Sequence, residues 1–442
     1  MYFKFLRGLS ILFSAFFFAY CTAPKKLVKP VEPPFITTSI VPADSTQTDS
    51  FLADVLASHP DFFDSVLANK NDWNVQVIYS QVDRGANGIP TLKNYYFNVN
   101  AARYFYPAST VKFPACLLAL QKLHELNIAG VDKNTTMITE KGYHNRTAVY
   151  NDPTSPTGNP SIGQYIKKIL MVSDNDANNR LYEFLGQQYL NEELHKRGYG
   201  DVQILHRLDI SLTADENRYT NPVKFLGPGN DILYQQPLQY NRDSFVTRND
   251  HVGNGFYKAG QLVDEPMDFS AKNRVSLQDL HTMLVSLIFP SKVNAAQRFN
   301  LSEDDRKFML KFMSRLPTES DYPPYAADTV AYWPAYCKFL LFGSEKGSLP
   351  ENIRIFNKVG DAYGQLTDVA YIVDFDKNIE FFLSATIYCN KDGIINDDKY
   401  NYDDTGLPFM KHLGEVLYDY ELQRKRKIIP DLSSLKLLTQ QR

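Results

Sequence analysis

The stretch Tyr106–Leu120 reads YPASTVKFPACLLAL, with Ser109 and Lys112 three apart at the head of an apolar run. If that run is a helix, positions i and i+3 share one face and the two side chains meet. The serine then sits at the helix N-terminus, where free N–H groups and the dipole favour developing negative charge. An amine beside a hydroxyl in that setting can take its proton and make it a nucleophile. The spacing alone decides little, because Ser433 and Lys436 repeat it without a comparable apolar helix. Two further polar clusters follow in the chain, Ser173–Asp174–Asn175 and Lys358–Val359–Gly360. Each has a plain structural reading: the first as a helix N-cap, the second as a chance K-x-G of the kind repeated at Lys258–Gly260.

The surrounding pattern predicts elements that place these residues. Apolar residues recur at helical spacing from Asp49 to Ala68, interrupted at Pro60. Val75–Gln81 alternates as a strand, Gly85–Pro90 is a turn region, and Tyr95–Tyr104 is the expected return strand. The hairpin thus delivers the chain to Tyr106, and Pro114 falls in the first helical turn, where a missing N–H matters least. Ser161–Leu170 reads as a capped amphipathic helix running into Ser173–Asp174–Asn175, with a second helix after it. Helical patterns return at Ser276–Ile288 and Ser302–Leu316. Strands are expected over Ile353–Lys358, Gln365–Asp374 and Ile379–Tyr388, with a tight turn at Asp376–Asn378, and a closing helix over Leu407–Arg424. Thr220–Asn273 is polar and rich in Gly, Pro and Asn, and reads as an insertion. Strands from both chain ends around a helical middle predict an α+β fold.

Taken together, YPASTVKFP, MVSDNDANN and KVGDAYGQLTDVAYIVD resemble the S-x-x-K, S-D-N and K-T-G segments of class A β-lactamases and penicillin-binding proteins, in the same order. The resemblance spans most of Asp49–Arg424 outside the insertion. It implies an antiparallel sheet from both chain ends flanked by helices, with an all-helical subdomain between. It also implies roles. Ser109 attacks a carbonyl, and Lys112 takes its proton or holds it for another base. Ser173 relays a proton to the leaving nitrogen, and Asn175 contacts the substrate amide and orients Lys112. Lys358, with Gly360, binds the substrate and supplies charge for its carboxylate. The N–H groups of Ser109 and Asp361 form the oxyanion hole.

Two departures stand out. Val359 replaces the hydroxyl residue of K-T-G, and a hydrogen bond to a charged group is worth about 1.5–3 kcal/mol. Arg207–Leu208–Asp209 resembles the opening of the loop that carries the family's deacylating glutamate, but the position three residues on is Leu212. Glu216, in a lengthened loop, is the candidate base. Slow deacylation and inefficient antibiotic turnover are expected.

The chain has 442 residues, a net charge of −3 and a pI near 6.3, which give no sign of nucleic-acid binding. Lys4 and Arg7 precede an apolar run, Leu9–Tyr20, that is too short for a stable span and fits an export signal. Ala19–Tyr20–Cys21 resembles a lipobox, which implies lipidation of Cys21 and an envelope location. Residues 1–21 are then the signal and 22–48 a Pro-, Lys-, Thr- and Ser-rich tether. Residues 49–428 are the hydrolase domain, with the insertion at about 220–273, and 429–442 are a tail. Cys116, Cys337 and Cys389 are odd in number and lack metal-ligand spacing, so no metal or other cofactor is expected. The substrate classes implied are a β-lactam or related amide, with cell-wall peptides as the alternative. A catalytically inactive binding protein is the reading from outside enzymes.

Overall fold

The sheet that carries the site is built from the two ends of the chain. The computed structural model describes residues 46–143 and 146–440, so Cys21, the signal and most of the tether lie outside the described residues. Five strands pair antiparallel in the order Ile353–Ala362, Gln365–Asp374, Ile379–Tyr388, Gln76–Arg84 and Pro90–Phe97. The return strand therefore begins earlier than its apolar pattern predicts. Arg84 faces Pro90 across the turn, and Asn98, in the left-handed region at φ 53°, ends the strand.

Both faces of the sheet are covered. All ten residues of Gln365–Asp374 are buried, so this strand shows no clean alternation. One face packs on the large apolar cluster containing Phe356, Tyr371 and Phe382 together with the helices Lys112–Leu126 and Leu277–Ile288. The other carries Ile355, Ala370 and Leu383 against the helices Ser50–Ala57, Pro60–Ala68 and Leu407–Gln423. Cys116 is fully buried in the first cluster, a small apolar core residue.

The middle of the chain is not all helical. Thr136–Thr139, Val223–Leu226 and Ile232–Gln236 form a second antiparallel sheet, with Val223 and Phe225 in the core. The first part of the polar 220–273 stretch is thus structural, because its alternating valine and phenylalanine fill the core beside Phe184. The rest adds short strands: Gly255–Lys258 pairs with both Ile394–Ile395 and Gln261–Val263, and His251–Val252 pairs separately with Met267–Asp268. After Arg424 the chain turns back, and Leu432 and Leu438 enter the main core around a Ser433–Gln440 helix. Ser433 and Lys436 lie on that helix, where Ser433 bonds Asp431 and Lys436 sits near Asp376.

Candidate functional site

Ser109 lies in a tight turn, Ala108–Val111, that runs directly into the helix Lys112–Leu126. Thr110 closes the turn: its N–H and its hydroxyl both donate to the Pro107 carbonyl, at 3.0 and 2.6 Å. Ala108 is held at φ 45°, a conformation that costs an L-residue about 1–2 kcal/mol. It is buried with Tyr106, Phe269 and Ile395, so packing holds the strained turn that half-exposes Ser109.

Lys112, one helical turn on, is fully buried. Its Nζ donates to Asn175 Oδ1 at 2.6 Å, to Ser173 Oγ at 3.3 Å and to the Ser173 carbonyl. Ser173 joins the helices Ile162–Val172 and Asn175–Leu185, and its backbone is left-handed, at φ 59°. Asp174 does the N-capping, accepting the Ala177 N–H at 2.7 Å. That leaves Ser173 and Asn175 to face the lysine, so the capping and functional readings of this triplet hold together. Lys358 donates to Ser173 Oγ at 2.8 Å and to the Val359 carbonyl at 2.7 Å. The Ser173 hydroxyl accepts from both amines, and its own proton is therefore free to be donated.

Burial drives the Lys112 amine well below the ordinary lysine range, and the nearby Lys358 charge adds to the shift. Burial also lowers Lys358. Lys112, with the stronger depression, is the one suited to be neutral and to accept a proton.

The strand Ile353–Ala362 forms the free edge of the sheet beside this turn. Tyr363 and Gly364, both at positive φ, close a two-residue hairpin with Ala362 opposite Gln365. The flanking pair of such a hairpin exchanges hydrogen bonds, and pairs alternate from there. Asp361 opposite Leu366 is then a non-bonded pair, and its N–H points off the free edge. Gly360 makes the close approach possible. A Cβ there would lie 2.6 Å from the Pro107 carbonyl oxygen, 2.9 Å from the Thr110 nitrogen and 3.0 Å from the Ser109 nitrogen. The backbone N–H groups of Ser109 and Asp361 thus belong to two segments packed against each other.

Val359 is a core residue. It is 2% exposed and packs with Ile355, Leu366 and Ala370 on the far side of the strand, which is the physical reason for an apolar side chain there.

The loop after Arg207 is pinned at both ends by one buried carboxylate. Glu183 accepts both arms of Arg207, at 2.9 and 2.8 Å, and the Asn221 N–H at 2.6 Å. Within the loop Glu216 is engaged by its own helix start. It closes a capping box on Thr213, accepting that residue's N–H at 2.7 Å and its hydroxyl at 2.8 Å, so the expected base is used to start a short helix. The carboxylate that reaches the site is Asp209, whose Oδ2 accepts from Asn175 Nδ2 at 3.4 Å. Its backbone is left-handed (φ 54°), and Asn179 fixes Leu208 beside it through two hydrogen bonds. The sequence places Asp209 in the Arg207–Leu208–Asp209 string, but only the fold brings it to Asn175.

Sequence reasoning also missed a buried polar group behind the edge strand. Lys338 Nζ donates to the Met313 and Ile355 carbonyls, at 2.6 and 2.9 Å, and to Asn357 Oδ1 at 2.7 Å. Asn357 in turn donates to Asp368 at 2.8 Å, and Asp368 also accepts the Leu340 N–H at 3.0 Å. No spacing signal marks this set, because it joins a segment without regular pattern to two strands.

A family model described as the beta-lactamase enzyme family matches residues 62–420. The solved structures similar to the chain include a beta-lactamase from Sphaerobacter thermophilus, 13% identical, covering 85% of this chain and 98% of that one with a TM-score of 0.43. A class A beta-lactamase from Clostridium kluyveri is 13% identical, with 81% and 98% covered and a TM-score of 0.43. PBP-A is 14% identical, with 86% and 100% covered and a TM-score of 0.46. Among proteins with curated descriptions, none matches the chain.

Proposed function

Because the chain belongs to the beta-lactamase enzyme family, we propose that it is a serine hydrolase working through an acyl-enzyme on Ser109, with β-lactams or related amides as substrates. The observation that carries the reading is the pair of lysines meeting at Ser173 Oγ, with Lys112 one helical turn from Ser109. Lys112 accepts the Ser109 proton as Oγ attacks the substrate carbonyl. The oxyanion that forms is met by the N–H groups of Ser109 and Asp361. Ser173 donates its proton to the leaving nitrogen and is reprotonated through the amines on either side of it. Release of the ester needs a water and a base, and Asp209, bonded to Asn175, is the carboxylate placed to serve. A penicillin-binding-type peptidase or amidase acting on cell-wall peptides uses the same first half of this sequence, and Val359, which offers no hydroxyl, favours it over rapid antibiotic turnover.

Intact-mass spectrometry after incubation with a penicillin tests the reading, with a Ser109→Ala chain beside it. A covalent adduct that vanishes in the Ser109→Ala chain is expected, transient for a β-lactamase and long-lived for a peptidase. Adduct on the Ser109→Ala chain would sink the assignment. Silence towards both penicillin and a fluorophosphonate would favour the binding-protein reading.

Export and lipid anchoring at Cys21 belong to the same proposal and rest on Lys4, Arg7, Leu9–Tyr20 and Cys21. In a bacterial host the chain is expected in the membrane fraction, and Cys21→Ala in the soluble envelope fraction. An unchanged distribution would remove the anchor.

A further inference from the structure

We infer that Phe269 is a positioning residue for the acylation step. It wedges between the segment leading to Ser109 and the hairpin following Asp361, and so sets the spacing of the two N–H groups that meet the oxyanion. The inference rests on the Ser109 reading, and it gives the polar 220–273 stretch a part in the reaction.

Three rings from distant parts of the chain close on one another here. Tyr106 lies three residues before Ser109, Tyr363 two residues after Asp361, and Phe269 near the end of the 220–273 stretch. Their centroids are 5.1 Å apart for Tyr106 and Tyr363, 5.3 Å for Tyr363 and Phe269, and 5.8 Å for Tyr106 and Phe269, each pair edge to face. Such contacts are directional, so each ring fixes the tilt as well as the distance of the other two. Phe269 is 1% exposed and shares its cluster with Ala108, the residue held at positive φ beside the nucleophile. Among the described residues no backbone hydrogen bond joins the Ala108–Val111 turn to the Ile353–Ala362 strand. The separation of their N–H groups is therefore set by packing, through the close approach at Gly360 and through these rings.

Phe269 is itself held fast. Its N–H donates to the Asp250 carbonyl at 2.8 Å, and its carbonyl accepts the Lys272 N–H at 2.8 Å. The fully buried Asn273 then ties the segment to those before Arg207 and Tyr106. Its Oδ1 accepts the Leu205 and His206 N–H groups at 2.7 and 3.0 Å, and its carbonyl accepts the Tyr104 hydroxyl at 3.1 Å. Earlier in the same stretch, Gly255–Lys258 pairs with Ile394–Ile395, and Ile395 is buried in the cluster with Phe269. A ring anchored on both sides along the chain holds what it touches. An oxyanion hole needs that, because its donors must stand in place before the charge develops.

The test is the rate at which a fluorophosphonate labels Ser109 in the full chain, followed by intact mass. Ser109 Oγ displaces fluoride from phosphorus, its proton passes to Lys112, and charge gathers on the phosphoryl oxygen in the oxyanion hole. Phe269→Ala is expected to lower the labelling rate about tenfold to hundredfold. Phe269→Leu, which keeps most of the volume and the fold, should lose about threefold to tenfold. The final extent of labelling should stay complete in both. A merely structural role would act the other way, leaving fewer molecules to be labelled at an unchanged rate. Rates within about twofold of the unaltered chain in both variants, or a loss of extent alone, overturn the proposal. Should Phe269→Ala yield no folded protein, Phe269→Leu decides by itself. An unaltered chain that is not labelled removes the Ser109 reading and this inference with it. An unaltered chain that is labelled, beside variants that are labelled as fast, removes this inference alone.

Discussion

Replacing Lys112 by methionine is expected to slow acylation of Ser109 by about 10²–10⁴-fold, the usual contribution of a positioned general base. Methionine keeps the volume of the buried stem and removes the amine that Asn175 and Ser173 hold. Three acceptor atoms lose a donor, a cost of about 1–3 kcal/mol that is partly offset because a buried amine no longer has to be desolvated. The fold should therefore survive, as circular dichroism would show. A pH profile separates the catalytic role from a structural one. The base must be neutral to accept a proton, so the rate rises with pH as Lys112 loses its proton. Burial and Lys358 place that rise well below the 10.5 of an ordinary lysine. In Lys112→Met the rise should disappear along with the rate. An acylation rate within threefold of the unaltered chain, with the same pH profile, would show that another group takes the proton.

Asp368→Ala is expected to destabilise the protein by about 3–5 kcal/mol, the cost of removing one partner from a buried charged group. Asp368 is fully buried, and so, nearly, is Lys338; Asn357 links them, accepting from one and donating to the other. Burial raises the Asp368 carboxyl and lowers the Lys338 amine, which shows how much each depends on its partners. Truncating Asp368 leaves the Lys338 charge without a counter-charge and the Leu340 N–H without an acceptor. Replacing both charges, as in Lys338→Met with Asp368→Leu, should recover much of the loss, since apolar pairs of similar volume often replace buried ion pairs at little cost. Urea unfolding followed by tryptophan fluorescence measures both variants. Because Asn357 precedes Lys358 on the edge strand, Asp368→Ala should also slow acylation. A loss under about 1 kcal/mol would mean that the pair contributes little and the strand is held by its ladder alone.

The sequence alone determined the parts of this protein that depend on local pattern. Gln76–Arg84 (expected over Val75–Gln81), Gln365–Asp374 and Ile379–Tyr388 form strands because their residues favour an extended, buried backbone. Ser161 starts its helix by accepting the Gln164 N–H, a bond between near neighbours that the sequence already contains. Ser109, Lys112, Ser173, Asn175 and Lys358 could be singled out for the same reason: each belongs to a short string whose order along the chain is visible.

Tertiary structure decided what depends on distant segments. The helical middle acquired a sheet because Val223–Leu226 found an edge at Thr136–Thr139, more than eighty residues earlier. Glu216 and Asp209 look alike as candidate carboxylates in one loop. Which of them meets Asn175 was settled by Glu183 holding both loop ends, and by Thr213 claiming Glu216 for a helix cap. Val359 reads as a lost hydroxyl in the string Lys358–Val359–Gly360, yet in the fold it is a core side chain whose neighbours come from the adjacent strand. Lys338, Asn357 and Asp368 carry no shared spacing at all. A polar group buried this deeply persists only where its partners converge, and that convergence exists only once the chain has folded.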